Sequence, residues 1–269
     1  DLTTVEGVLE SEEGLLYRGR AAPGMRPEAI STGLFAVDLI TSIGGLPRGR
    51  IVEVMGNTAA GKTTLCLHAI AAAQAQGLEC AFIDAEHALD EVWASARGVD
   101  MDSLVIGKPE WGEQALSLVE SLCETFKVGL IVVDSVAALI PKKELEGEIG
   151  DSSMGLHAKL MSQAMRKLTG LIAKSNTCVV FTNQFRSSMS QFGPTNVTTG
   201  GNALKFYASL RLETTNIGKI KVDGSDAEDA EVIGNEIRVT VVKNKNGPPW
   251  KTAKIPLLHA TGYDNVGSM

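Results

Sequence analysis

The chain has 269 residues, 44% of them hydrophobic, which is enough for one large core with small appendages. Its formal charge of −7 speaks against a general attraction to nucleic acid, so any phosphate-binding surface must be a local basic stretch, for which residues 159–174 and 243–254 are the candidates. No run approaches the ~18 apolar residues of a membrane span, and residues 1–13 are too acidic for a signal peptide, so a cytoplasmic protein without a membrane partner is expected.

Residues 1–29 mix acids with glycine and proline and hold no sustained apolar period, which predicts an arm or linker. From Arg50 onward β-branched runs alternate with helical patterns: a strand over 51–55, a helix over 62–76, a strand over 80–84, a helix over 113–126, a strand over 130–134, a helix over 154–173 and a strand over 177–182. That alternation is the mark of an α/β fold, a mostly parallel twisted sheet flanked by helices. After Leu204 strands over 209–214, 236–243 and 251–257 follow without helices between them, which predicts antiparallel edge strands. The domain expectation is an arm over 1–29, a core over 30–258 and a tail over 259–269. Cys66, Cys80, Cys123 and Cys178 are widely spaced inside apolar runs and read as buried thiols, not as metal ligands.

The segment Gly56-Asn57-Thr58-Ala59-Ala60-Gly61-Lys62-Thr63, followed by Thr64, fits G-x-x-x-x-G-K-[ST] between a strand and a helix. Glycines let backbone N–H groups turn toward phosphates, Lys62 adds a point charge, and the helix N-terminus adds a partial positive charge. The Thr63 hydroxyl would face Mg²⁺. A glycine-rich turn without a ligand is the bland alternative, and the flanks fit it less well. The run Leu130-Ile131-Val132-Val133-Asp134 delivers a carboxylate to the sheet's C-terminal edge, where Asp134 would be linked to Mg²⁺; a capping aspartate is the plainer reading. Asp84 and Glu86 follow another strand to that edge. Glu86 is the better candidate for orienting an attacking water, because Asp84 ends the strand itself, and helix capping by both is the competing reading.

Over roughly residues 30–250 the chain resembles the RecA family, the bacterial-type strand-exchange recombinases. The resemblance is carried by Gly44-Gly45-Leu46-Pro47, Phe82-Ile83-Asp84-Ala85-Glu86-His87-Ala88-Leu89-Asp90, Val132-Val133-Asp134-Ser135-Val136-Ala137-Ala138, Met161-Ser162-Gln163-Ala164-Met165-Arg166, Thr198-Thr199-Gly200-Gly201-Asn202-Ala203-Leu204 and Val241-Val242-Lys243-Asn244-Lys245. It implies a RecA-like P-loop ATPase core with ATP and Mg²⁺ as cofactors. Lys62, Thr63 and Asp134 would serve ATP and Mg²⁺, Glu86 would activate water, and Asp90 with Trp93 would lie at the adenine, Trp93 standing where the family usually has tyrosine. Gln184 is similar to the family's γ-phosphate sensor. Lys243 and Lys245 resemble a pair that reaches a neighbouring subunit's ATP.

Two segments, 146–155 and 185–199, resemble the family's DNA-binding loops, and the second reads as long and irregular. Met154 belongs to the first. In the helix that follows, Lys159, Ser162 and Arg166 share one polar face. Arg186, Met189 and Phe192 lie in the second loop, the latter two as candidate wedges between bases, and Gly200, Gly201 and Asn202 offer groups to phosphates. Single- and double-stranded DNA and further copies of the chain, head to tail in a helical filament, are the partners so implied.

The sequence also departs from the family pattern. Asn57-Thr58-Ala59-Ala60 replaces Pro-Glu-Ser-Ser inside the P-loop, and the second loop is one residue shorter, with Ser187 and Ser188 where methionine and lysine are common. Residues 1–29 lack the basic helix that packs on a neighbour, and the chain stops at Met269 before the family's C-terminal domain, features expected of a compact, phage-type member. The functional expectation is a DNA-dependent ATPase that forms filaments on single-stranded DNA and promotes pairing and strand exchange. The alternatives are a ring-forming motor on the same core and a non-catalytic DNA-binding paralogue.

Overall fold

The computed structural model describes residues 5–11, 16, 26–148, 155–190, 193–222 and 230–264. In chain order the first elements are α1 (Val5–Ser11), β1 (Ala29–Ile30), α2 (Phe35–Ile40), β2 (Leu46–Pro47), β3 (Ile51–Gly56), α3 (Lys62–Ala75), β4 (Glu79–Asp84) and α4 (Glu91–Ser95). Next come β5 (Val105–Gly107), α5 (Gly112–Glu124), β6 (Val128–Asp134), α6 (Lys142–Leu145) and α7 (Leu156–Ser175). The chain continues with β7 (Cys178–Ser190), β8 (Gly193–Thr198), α8 (Ala203–Tyr207), β9 (Leu210–Lys221), β10 (Val232–Asn244), β11 (Thr252–Leu258) and β12 (Gly262–Tyr263).

The main sheet runs β12-β11-β10-β9-β3-β7-β6-β4-β5, with β8 paired to β7. The central strands β3 and β6 are buried along their whole length and apolar except for Glu53 and Asp134, as strands covered on both faces tend to be. Successive residues serve opposite faces. Val52, Val54, Phe82, Val132 and Val180 pack with Leu65, Leu67 and Ile70 of α3, whereas Ile51, Ile83, Ile131, Val133 and Phe181 pack with Val119 of α5 and Met161, Met165 and Leu168 of α7. The buried apolar residues of α7 recur at helical spacing, Met161, Met165, Leu168 and Ile172, flanked by the partly buried Leu160, Ala164 and Leu171, while Lys159, Gln163, Arg166 and Lys167 stay exposed. Parallel register then sets the functional edge, because Gly56 lies opposite Gln184, and Asp84 opposite Asp134.

Several sequence expectations are corrected here. β9 is parallel to β3, with Val52 opposite Leu210, and the antiparallel additions begin only at β10. The five-residue helix α8 turns the chain back before β9, and it is too short to show a helical period in the sequence. Segment 185–199 is not irregular: β7 and β8 form an antiparallel hairpin from Phe185 opposite Thr198 to Ser190 opposite Gly193. Serines and threonines hide the usual apolar alternation there, while the ladder pairs the backbone groups that face the partner strand. Val5–Ser11 is helical within the stretch read as an arm, and Gly262–Tyr263 adds a strand within the stretch read as a tail. All four cysteines are free and buried, as expected. Among the described residues no helix is long and apolar enough to cross a membrane.

Candidate nucleotide site and DNA-facing edge

The strand β3 gives way to the phosphate loop, and α3 starts behind Gly61. Gly61 has φ 76, and a Cβ there would meet the Tyr263 hydroxyl at 2.3 Å, so glycine is required on both grounds. Ala59 adopts φ 57, a left-handed conformation without the relief that glycine gives. Lys62 Nζ donates to the Asn57 carbonyl at 2.8 Å. Burial holds the lysine's pKa below its ordinary value, opposed by the charges of Asp134 and Glu86. Those carboxylates therefore face the same space as the ammonium group.

Asp134 ends β6 and is buried. Its Oδ2 accepts from Thr63 Oγ1 at 2.6 Å, and its Oδ1 accepts from Thr182 Oγ1 on β7. Burial raises its pKa, the two hydroxyl donors and Lys62 oppose the rise, and the nearby Glu86 adds to it. A carboxylate and a hydroxyl side by side are hard oxygen donors of the kind Mg²⁺ uses together with substrate phosphates and water. Among the described residues no group of three or more His, Cys, Asp or Glu side chains is placed to hold a metal ion.

The two acids after β4 have different jobs. Asp84 is buried and both its oxygens accept backbone N–H groups, from Ala88 at 3.1 Å and Leu89 at 3.1 Å, so it braces its loop. Glu86 Oε1 instead accepts from Ser135 Oγ and from Gln184 Nε2, the latter at 3.3 Å. Asp90 caps α4 by accepting from Trp93 N at 2.9 Å. Arg97 lies 3.3 Å from the Trp93 ring centre and takes one face of it, so a purine would meet the other face or the edge. Arg97 also donates to the carbonyls of His259 and Ala260, tying that ring to the β11–β12 turn.

Lys243 donates from Nζ to the Lys205 and Phe206 carbonyls at 2.7 and 2.9 Å, capping α8. Burial lowers its pKa, and Lys245 and Arg211 lower it further. Lys245 is exposed. On α7, Lys159 and Arg166 are exposed with Ser162 half-buried beside them, while the neighbouring Lys167 is paired with Glu120 at 2.7 Å. Gly200 has φ 87 and a Cβ there would meet Val136 and Met161 at about 3 Å, so the chain leaving β8 lies tightly against α7. Asn202 is exposed at the start of α8. Met154 and Phe192 lie outside the described residues, and of Arg186 and Met189 only the backbone, in β7, is described.

Sequence reasoning gave no role to Ser135 and Thr182, which hold Glu86 and Asp134. The signal was present: each is a small hydroxyl residue closing an apolar strand run, where a buried carboxylate needs donors. Glu53, fully buried in the middle of β3, was also passed over.

A phosphate loop ahead of a helix, with a strand-end aspartate beside its threonine, defines a P-loop nucleoside triphosphatase on an α/β sheet. The pattern of the RecA N-terminal domain matches residues 12–264. The chain belongs to the RecA family, DNA-dependent ATPases that act as recombinases. It is similar to the Protein RecA of Acidiphilium cryptum (strain JF-5), 53% identical over 243 residues, which are 90% of this chain and 69% of that protein. It is also similar to the Protein RecA of Gluconacetobacter polyoxogenes, 49% identical over 271 residues, 98% of this chain and 76% of that protein. For the Protein RecA of Blastochloris viridis the figures are 48% over 269 residues, 100% and 75%. Relatives of this name, at about half identity over nearly the whole chain, do not favour the ring-forming motor or the non-catalytic paralogue.

Proposed function

We propose that the chain binds Mg·ATP at Gly56–Thr64, assembles head to tail on single-stranded DNA, and pairs that strand with duplex DNA. Thr63 and Asp134 would hold Mg²⁺, which when bound draws off the charge that builds up on the phosphate oxygens. Backbone N–H groups of the loop and Lys62 grip the phosphates. Glu86 orients a water for in-line attack and takes its proton, kept in place by Ser135. Asp90 and Trp93 receive the base. Lys243 and Lys245 of one copy face the phosphates of the next, so hydrolysis requires assembly, and a head-to-tail contact that does not close gives a helical filament.

The observation that carries this reading is the Gln184 amide. It donates to the candidate general base Glu86, and it sits in the strand that continues into the β7–β8 hairpin. One side chain therefore touches the hydrolytic centre and begins the DNA-facing element. Arg186, Met189 and Phe192 of that hairpin, Met154, the α7 face of Lys159, Ser162 and Arg166, and the Gly200–Asn202 turn would contact DNA. The test is ATP hydrolysis with and without single-stranded DNA. A stimulation of tenfold or more is expected, and equal rates would overturn the coupling. Micrographs with a slowly hydrolysed ATP analogue should show filaments on the DNA; rings or single particles would contradict the assembly.

A further inference from the structure

The hairpin is fastened at its root by groups that the hydrolytic site does not use. Glu53, with a side chain 0% exposed, lies on β3 three residues before Gly56. Its Oε2 accepts from Arg211 Nε at 2.6 Å, and its Oε1 accepts from Asn183 Nδ2 at 2.8 Å. Asn183 is itself fully buried, immediately before Gln184. The same Nδ2 also donates to the Thr199 carbonyl at 3.0 Å, and Asn183 Oδ1 accepts the backbone N–H of Gln184 at 2.9 Å. The amide therefore holds the strand entering the hairpin, at Gln184, and the chain leaving it, at Thr199.

A buried ion pair is a costly way to stabilise a sheet, since apolar residues of similar volume commonly do as well or better. Its geometry here offers something packing does not. The fork of contacts fixes three backbone segments against one carboxylate: β3 next to the phosphate loop, β7 at Gln184, and the exit from β8. Parallel register places Met55 opposite Asn183 and Gly56 opposite Gln184, so a shift at the loop's first glycine moves this carboxylate's own strand.

We propose that Asn183, anchored by the Glu53–Arg211 pair, is a positioning residue that clamps both roots of the β7–β8 hairpin to the phosphate-loop strand, so that the hairpin's placement follows the nucleotide. This rests on the function proposed above. Without the clamp, Gln184 still reaches Glu86, but the exit at Thr199 is released and the hairpin no longer moves as one unit with β3.

The experiment uses the full chain and Asn183→Ala, with Val239→Ala, a core truncation in β10, as a control for lost stability. The affinity of a fluorescent oligo-dT strand is measured with a slowly hydrolysed ATP analogue and with ADP. In Asn183→Ala the ratio of the two affinities should fall by about tenfold, the size of a typical coupling, with nucleotide affinity changed less than threefold. Val239→Ala should keep the wild-type ratio. Hydrogen exchange without DNA should show faster exchange at the Gln184 amide and in residues 198–201 of Asn183→Ala, and not in the control. Unchanged protection at the root overturns the clamp, whatever DNA binding shows. A ratio that stays at the wild-type value, or falls equally in the control, overturns its coupling role. If wild type shows no nucleotide-dependent DNA affinity, the function proposed above fails, while the exchange data still decide the clamp.

Discussion

Asp134→Asn should push stability and activity in opposite directions. The Asp134 carboxyl is buried with its pKa held above the ordinary value, so desolvation outweighs the Thr63 and Thr182 donors and Lys62. The sign follows directly. Between the ordinary and the raised pKa the folded state keeps a proton that the unfolded state has lost, so stability falls as pH rises through that window and the penalty stays in full above it. Each hydrogen bond to a carboxylate is worth about 1.5–3 kcal/mol and burial of an ion costs several, so the net penalty near neutrality is on the order of 1 kcal/mol. Asparagine is uncharged and can still bond both hydroxyls. Near neutral pH the variant should therefore melt about 2–4 °C higher than wild type, and the gap should close on acidification toward about pH 4. With Mg·ATP at about 100 times its Kd, wild type should gain about 2.7 kcal/mol, whereas the variant should gain much less and hydrolyse at least about a hundredfold more slowly. Calorimetric melts at two pH values, with EDTA and with Mg·ATP, read all of this. A variant that melts lower than wild type near neutrality, or keeps its Mg²⁺-dependent gain, would refute the reasoning.

The remaining predictions concern other parts of the site. Glu86→Gln should bind a fluorescent ATP analogue within a few-fold of wild type while losing about 10²–10⁴ in turnover, measured by phosphate release. Ala59→Gly should raise stability by about 1 kcal/mol, because it relieves the left-handed conformation at φ 57; an unchanged or lower melting temperature would contradict that strain. Replacing both Lys159 and Arg166 with alanine should lower the salt slope of single-strand binding by roughly 1.4, about 0.7 per phosphate lost, and Lys167→Ala should change it less because Glu120 already holds that ammonium. Trp93→Ala should weaken nucleotide binding by about 1–2 kcal/mol, seen by titration calorimetry.

The repeating units of the fold were legible because a fully buried parallel strand is almost wholly apolar, Glu53 and the strand-end Asp134 being the exceptions, and a helix on one face keeps a 3.6-residue stripe. Ile51–Gly56, Val128–Asp134 and the Met161 to Ile172 stripe show this. Strand direction was not legible for β9, whose alternation looks the same whether its neighbour runs with it or against it, and α8 covers little more than one turn. The hairpin stayed hidden because serine, threonine and asparagine suit strands and loops alike. In the candidate site, Lys62 and Thr63 stand out by local spacing and Asp134 by ending an apolar run, and the structure puts Thr63 and Asp134 in contact. Glu53, Asn183 and Arg211 form one network from three separated strands, and no local pattern joins them until the sheet does.

The central claim, a nucleotide site shared between copies on DNA, is tested most directly by mixing two variants. Lys62→Ala lacks the lysine of the phosphate loop but keeps Lys243 and Lys245, proposed above to serve the neighbour; Lys243→Ala/Lys245→Ala has the reverse defect. Each should be nearly inactive alone on single-stranded DNA. An equal mixture should recover about one quarter of wild-type hydrolysis, since in a randomly mixed head-to-tail filament one contact in about four joins an intact loop to intact lysines. Activity of the mixture no greater than the mean of the two variants alone would contradict the account.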